Sequence, residues 1–140
     1  MKRTIVTLGL ALAVLAGFGL ALSRQTPAPK PDRAKVLGTW TLDIDAGETT
    51  ITLTLVLQEA EGKLAGKISE ANGMFTDSPL SNIEFDGENL AYEINVPSPP
   101  DGVVKVWKTQ LKIGADTAEG AIANADLGMT ATVTGKRVSK

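Results

Sequence analysis

The chain has 140 residues, no Cys and no His, with 43% hydrophobic and 21% charged residues. That length suits one domain, and the missing residue types exclude disulfides, His- or Cys-built zinc sites and Ser-His or Cys-His nucleophile pairs. From residue 36 onward eight Lys and Arg stand against fifteen Asp and Glu, a net charge of about −7, so no basic excess exists to neutralise phosphate and nucleic acid is not an expected partner.

Lys2-Arg3 precedes an uncharged run, residues 5–22, rich in Leu, Ala, Val and Gly. The pattern resembles a bacterial-type export signal. Ala21 and Ser23 place small residues at −3 and −1 ahead of Arg24, and Gly19 and Ala21 form a second candidate pair. The alternative is an uncleaved anchor, because the run is just long enough to span a bilayer. Both readings keep Lys2-Arg3 in the cytoplasm and the domain outside it. The expected location is therefore secreted or periplasmic, with membrane contact only if residues 5–22 are retained. Without Cys, a lipid anchor at the cleavage site is closed off. Residues 1–23 are read as leader or anchor. Residues 24–36, with three Pro, four basic residues and no apolar run, are read as a stiff, partly extended linker. Residues 37–140 form the domain.

In that domain apolar and polar residues alternate with period two, the mark of half-buried strands. The first predicted strand, 38–45, points Trp40, Leu42 and Ile44 inward, and Ala46-Gly47-Glu48 turns the chain. The second, 49–59, points Ile51, Leu53, Leu55 and Leu57 inward. The third, 64–70, brings Leu64, Gly66 and Ile68 to the inner face. Residues 71–79 form a longer loop. The fourth strand, 80–85, carries Ile83 and Phe85 inward with Leu80 out of phase, which predicts a bulge or a late start. Asp86-Gly87 signals a hairpin turn. The fifth, 89–96, points Leu90, Tyr92 and Ile94 inward. Pro97 to Gly102 reads as a rigid connection outside the sheet. The sixth, 103–113, shares Trp107, Thr109, Leu111 and Ile113 on one face, with Lys105 at its end. The seventh, 117–123, carries Ala118, Gly120 and Ile122. The eighth runs from Met129 to about Val138, with Met129, Ala131, Val133, Gly135 and Arg137 inward.

No helical period occurs beyond the export segment, so crossover helices and a parallel sheet are excluded. The expected fold is all-β: an eight-stranded antiparallel up-and-down meander closed into a small barrel, with a β-sandwich as runner-up. Gly38-x-Trp40 on the first strand and Arg137 on the last resemble the calycin superfamily of lipocalins and fatty-acid-binding proteins. The resemblance covers residues 37–138 and matches the small lipocalin-like domains of exported bacterial proteins. It implies that Trp40 closes one barrel end beneath Arg137. It departs from the pattern in lacking a C-terminal helix, a disulfide and a second lipocalin motif. The residues alone give the same pairing a structural reading, since a cation over an indole face contributes about 0.5–2 kcal/mol.

The first candidate site is the barrel interior, with gaps expected at Gly66, Ala118, Gly120, Ala131 and Gly135. Ligand-binding residues would be Met74 and Phe75 at a mouth, with Tyr92, Lys105 and Trp107 offering polar groups inside. A cation there would suit an anionic amphiphile. The plainer readings are a core plug for Met74-Phe75 and a solvated strand end for Lys105. The second candidate is an outer Thr-rich face built from Thr39, Thr41, Thr50, Thr52, Thr54, Thr130, Thr132 and Thr134. Asp43, Asp45 and Glu48 lack calcium-loop spacing, and Glu84 and Glu93 face outward with no cleft for glycosidase chemistry. No metal, cofactor or catalytic residue is expected. The expected function is a non-enzymatic exported barrel binding a small hydrophobic or amphiphilic ligand. The alternative is an envelope protein-interaction or inhibitor-type module acting through its loops or the Thr face.

Overall fold

A computed structural model describes residues 30–140; the export segment and most of the linker lie outside the described residues. Eight strands follow in order: β1 (Gly38–Asp45), β2 (Thr50–Ala60), β3 (Lys63–Glu70), β4 (Ser78–Phe85), β5 (Asn89–Ser98), β6 (Val103–Ile113), β7 (Thr117–Asn124) and β8 (Met129–Ser139). Each pairs antiparallel with the next, and β8 pairs with β1, so the sheet is a closed up-and-down barrel. Closure removes both sheet edges, and the sandwich alternative falls away.

The alternation of residue types sets which side chains turn inward. Trp40, Leu42, Leu55, Ile68, Leu90, Ile94, Leu111 and Val133 are almost fully buried. Leu80 and Ile83 both pack against this core despite their mismatched phase. The register shifts between Ser81 and Glu84, and Asn82 takes a positive φ of 49°. A bulge there returns the strand to phase.

The closed end of the barrel is built around Trp40. Arg137 Cζ lies 4.5 Å from the centre of the indole, and the indole Nε1 donates to the Val36 carbonyl at 2.9 Å. The Arg137 guanidinium donates to the carbonyls of Leu37 (2.6 Å) and Lys35 and pairs with Asp116 at 3.3 Å. Gly38 adopts φ +115°, and a Cβ there would meet the Ser139 carbonyl at 2.1 Å. Only glycine lets β1 and β8 meet at this point.

Several expectations change. The end of the linker is not an extended tether: Asp32 caps a single 3₁₀ turn, Arg33–Lys35, and Val36 is fully buried. The first large apolar side chain after the basic stretch packs into the Trp40 end of the barrel. Pro97 and Ser98 belong to β5, opposite Val104 and Val103. The β4 ladder ends at Leu80–Ile94, so Pro97 sits where β5 is paired on the β6 side alone, an edge-like position open to proline, and the strand runs on to Ser98. Met129, expected inward, is half-exposed at the rim. The glycine gaps do not exist as voids: a Cβ on Gly66 would meet Leu57 and Leu80 side chains at 2.8 Å, on Gly135 the Leu42 side chain at 2.5 Å, and on Gly120 the Gln110 carbonyl at 1.9 Å. The missing side chains let neighbours close in rather than leaving space.

Candidate functional site

The open end lies opposite Trp40. Four connections surround it: 46–49, 71–77, 99–102 and 125–128. Below them is a cavity of about 370 Å³ whose lower wall is Ile44, Leu53, Ile94, Val96, Trp107 and Ile122. Met74, Phe75, Pro99 and Met129 form its rim. These walls come from β1, β2, β5, β6, β7 and β8, because each inward row ends here without a plug like the one at the other end. The volume falls at the lower end of ordinary ligand sites, about 300–1,000 Å³.

Few polar groups face this space. Glu70 ends β3 in phase with Ile68 and is buried. Its Oε2 accepts the backbone N–H groups of Asn72 (2.8 Å) and Met74 (3.1 Å), and its Oε1 accepts the Asn72 side-chain amide at 2.9 Å. The Glu70 N–H donates to the Phe75 carbonyl at 3.0 Å. One carboxylate therefore folds the 71–75 loop over the mouth. Ser98 Oγ accepts from Trp107 Nε1 at 2.8 Å and donates to the Val96 carbonyl at 3.1 Å, which fixes the indole in the wall. Outside the lining, Asn124, fully buried at the end of β7, donates to the Val106 carbonyl and accepts from the Leu127 N–H, holding the 125–128 loop.

Of the five residues put forward for ligand contact, the structure brings together Met74, Phe75 and Trp107. Phe75 packs against the core and Met74 is half-exposed. Tyr92 and Lys105 are not in the lining. Tyr92 sits deeper, opposite Thr109. Burial pushes its phenol well above the ordinary value, and the neighbouring Thr109 hydroxyl offsets part of that rise. Lys105 turns to Asp101, four residues back, at 2.6 Å. That ion pair holds the Asp101 carboxyl below its ordinary range, together with the Val103 N–H. No cation is thus presented to the cavity. Glu70, Ser98 and Asn124 each stand one inward step beyond the last apolar residue of their strands, and being polar they carry no hydrophobic signal; the period-two count, continued to the strand ends, finds all three.

A second depression, about 460 Å³, lies where β3 and β4 diverge. Those strands pair only through Lys67–Pro79 and Ile68–Ser78. Arg33 lines it and reaches the β2–β3 hairpin, donating to the Gly62 carbonyl and lying 3.7 Å from Glu59. Its mixed charged and apolar walls make it a groove beneath the N-terminal segment. The outer Thr face is less neutral than its Thr count suggests. Asp43 lies between Thr52 and Thr134, and Asp45 between Thr50 and Thr132. Asp43 accepts from the Thr52 hydroxyl at 2.8 Å. Among the described residues no acidic cluster has the grouping of a metal site.

No protein-family model and no curated protein matches the sequence. Two crystal structures, both of point variants of the fluorescent protein UnaG, are similar in fold. One is 17% identical with a TM-score of 0.49, covering 76% of this chain and 99% of the other. The second is 17% identical with a TM-score of 0.48, covering 78% and 100%.

Proposed function

We propose that this protein is an exported, non-enzymatic barrel that carries one small apolar molecule in its open-end cavity. The observation that carries the reading is the asymmetry of the two ends. One is plugged by Val36, Trp40 and Arg137, while the other ends in a hydrocarbon-walled space beneath a loop tied down by Glu70. Export is supported by Lys2-Arg3 and the apolar run 5–22. The non-enzymatic reading is supported by the lining, where the single ionisable side chain is already engaged by three hydrogen bonds.

The test is native mass spectrometry of the full chain, expressed with its own N-terminus and purified from the periplasmic fraction without denaturation. A discrete added mass that extracts into organic solvent is expected, and its occupancy should fall in an Ala131→Phe variant, which fills the cavity from β8. Recovery of uniformly unliganded protein, or an added mass that Ala131→Phe leaves untouched, would count against the carrier reading. A second reading, an envelope protein-interaction module, draws on exposed Val103, Val104 and Val106 beside the 99–102 connection.

A further inference from the structure

Charge is distributed unevenly around the cavity. Each of the four open-end connections contains one acidic residue and no Lys or Arg: Glu48, Asp77, Asp101 and Asp126. Asp77 and Asp101 are neutralised by Lys67 at 2.9 Å and Lys105 at 2.6 Å. Glu48, Asp126 and Glu70 meet no Lys or Arg at ion-pair distance among the described residues. The lining itself contains the Glu70 carboxylate and no cation. A carboxylate offers about four acceptor positions, and the loop occupies three of Glu70's, two on Oε2 and one on Oε1.

We propose that the cavity selects an apolar cation, such as an alkyl ammonium, over an apolar carboxylate, with uncharged molecules between them. The inference rests on the carrier reading above and names the ligand class. An ammonium head finds a free acceptor position on a buried carboxylate and a mouth of opposite sign. A carboxylate head is desolvated beside a like charge with nothing to pair with it. The two rim acids without a basic partner among the described residues, Glu48 and Asp126, also raise the local concentration of cations at the entrance.

The experiment is a calorimetric titration of the full chain with octylamine, octanol and octanoate at neutral pH, which share one tail and differ in head group. The dissociation constant for octylammonium should lie at least about tenfold below that for octanoate, with octanol between. The gap should shrink in Glu70→Gln. Because that change also touches the loop, the double variant Glu48→Gln/Asp126→Asn provides a second measure; it alters only exposed rim charge and should narrow the gap partially, as should added salt. Octanoate binding as tightly as octylammonium would overturn the charge selection while leaving the carrier reading in place. A gap that neither variant nor added salt narrows would overturn the assignment to these carboxylates. Failure of all three compounds to bind would overturn both.

Discussion

Arg137 makes one side chain serve as the clasp of the barrel. Its guanidinium covers the Trp40 indole and binds two carbonyls of the entering chain, so the N-terminal segment, β1 and β8 meet at one planar group. Arg137→Met keeps the aliphatic packing but strands the part-buried Leu37 carbonyl and gives the exposed Lys35 carbonyl back to water. The expected loss of stability is about 2–4 kcal/mol, from the cation–π contact and the charge-assisted hydrogen bonds together. Arg137→Lys should recover less than half of it, because an ammonium cannot span both carbonyls. Urea unfolding midpoints of the three proteins check this, and equal stability of the Met variant would remove the clasp. Trp40 and Arg137 were legible as a pair through the resemblance that their places on the first and last strands carry. Their carbonyl partners were not, because residues 33–36 carry too little pattern to reveal a packed turn.

At the scale of elements, turn chemistry is the most local and therefore the most readable feature. Asp86 opens the β4–β5 hairpin, accepting from the N–H groups of Glu88 (2.9 Å) and Asn89 (2.7 Å) and from the Asn89 side chain. Those bonds, with Asn89 contributing most, lower its pKa from 3.8 to about 2. A depressed folded-state value means stability that is present above pH 3.8 and lost as pH falls toward about 2. The stability difference between the natural chain and Asp86→Ala should therefore be constant above pH 5 or so and shrink through that window. Denaturation series at several acidic pH values test it; a difference that does not change with pH would mean the carboxylate's charge is immaterial to the turn. Strand phase was equally readable, including the β4 bulge implied by Leu80 against Ile83. The β5 end was not, since Pro97 alone reads as a breaker, and only the partner strand shows the ladder continuing to Ser98 opposite Val103.

At the scale of the whole molecule, the barrel is a single cooperative shell with one phenol in its middle. Tyr92 is the sole tyrosine, nearly fully buried, and its phenol is pushed up by loss of hydration. A raised folded-state value means stability that is fully present below the ordinary pKa of 10.0 and lost as pH climbs beyond it. Tyrosinate absorbance should accordingly appear only together with loss of the β-sheet circular dichroism signal, in one transition above pH 10. Titration of the phenol at its ordinary value with the barrel intact would show that water reaches Tyr92, and that the interior is open well below the rim cavity.

Composition and period-two alternation by themselves determined the all-β class, the strand count and most of the inward rows, and the resemblance carried by Gly38, Trp40 and Arg137 implied the pair at one barrel end. Those properties depend on neighbours along one strand, and the strand period is short enough to be counted from residue to residue. Which end is plugged, and what charge the open end presents, was decided only by the tertiary structure. Glycines that look like gaps in a single strand become close contacts once the facing side chains arrive. Lys105 looks like an available cation until the 99–102 connection folds Asp101 back onto it. The four acids of the open-end loops are scattered across 79 positions of sequence, from Glu48 to Asp126. They form one rim because an up-and-down barrel gathers every second connection at the same end.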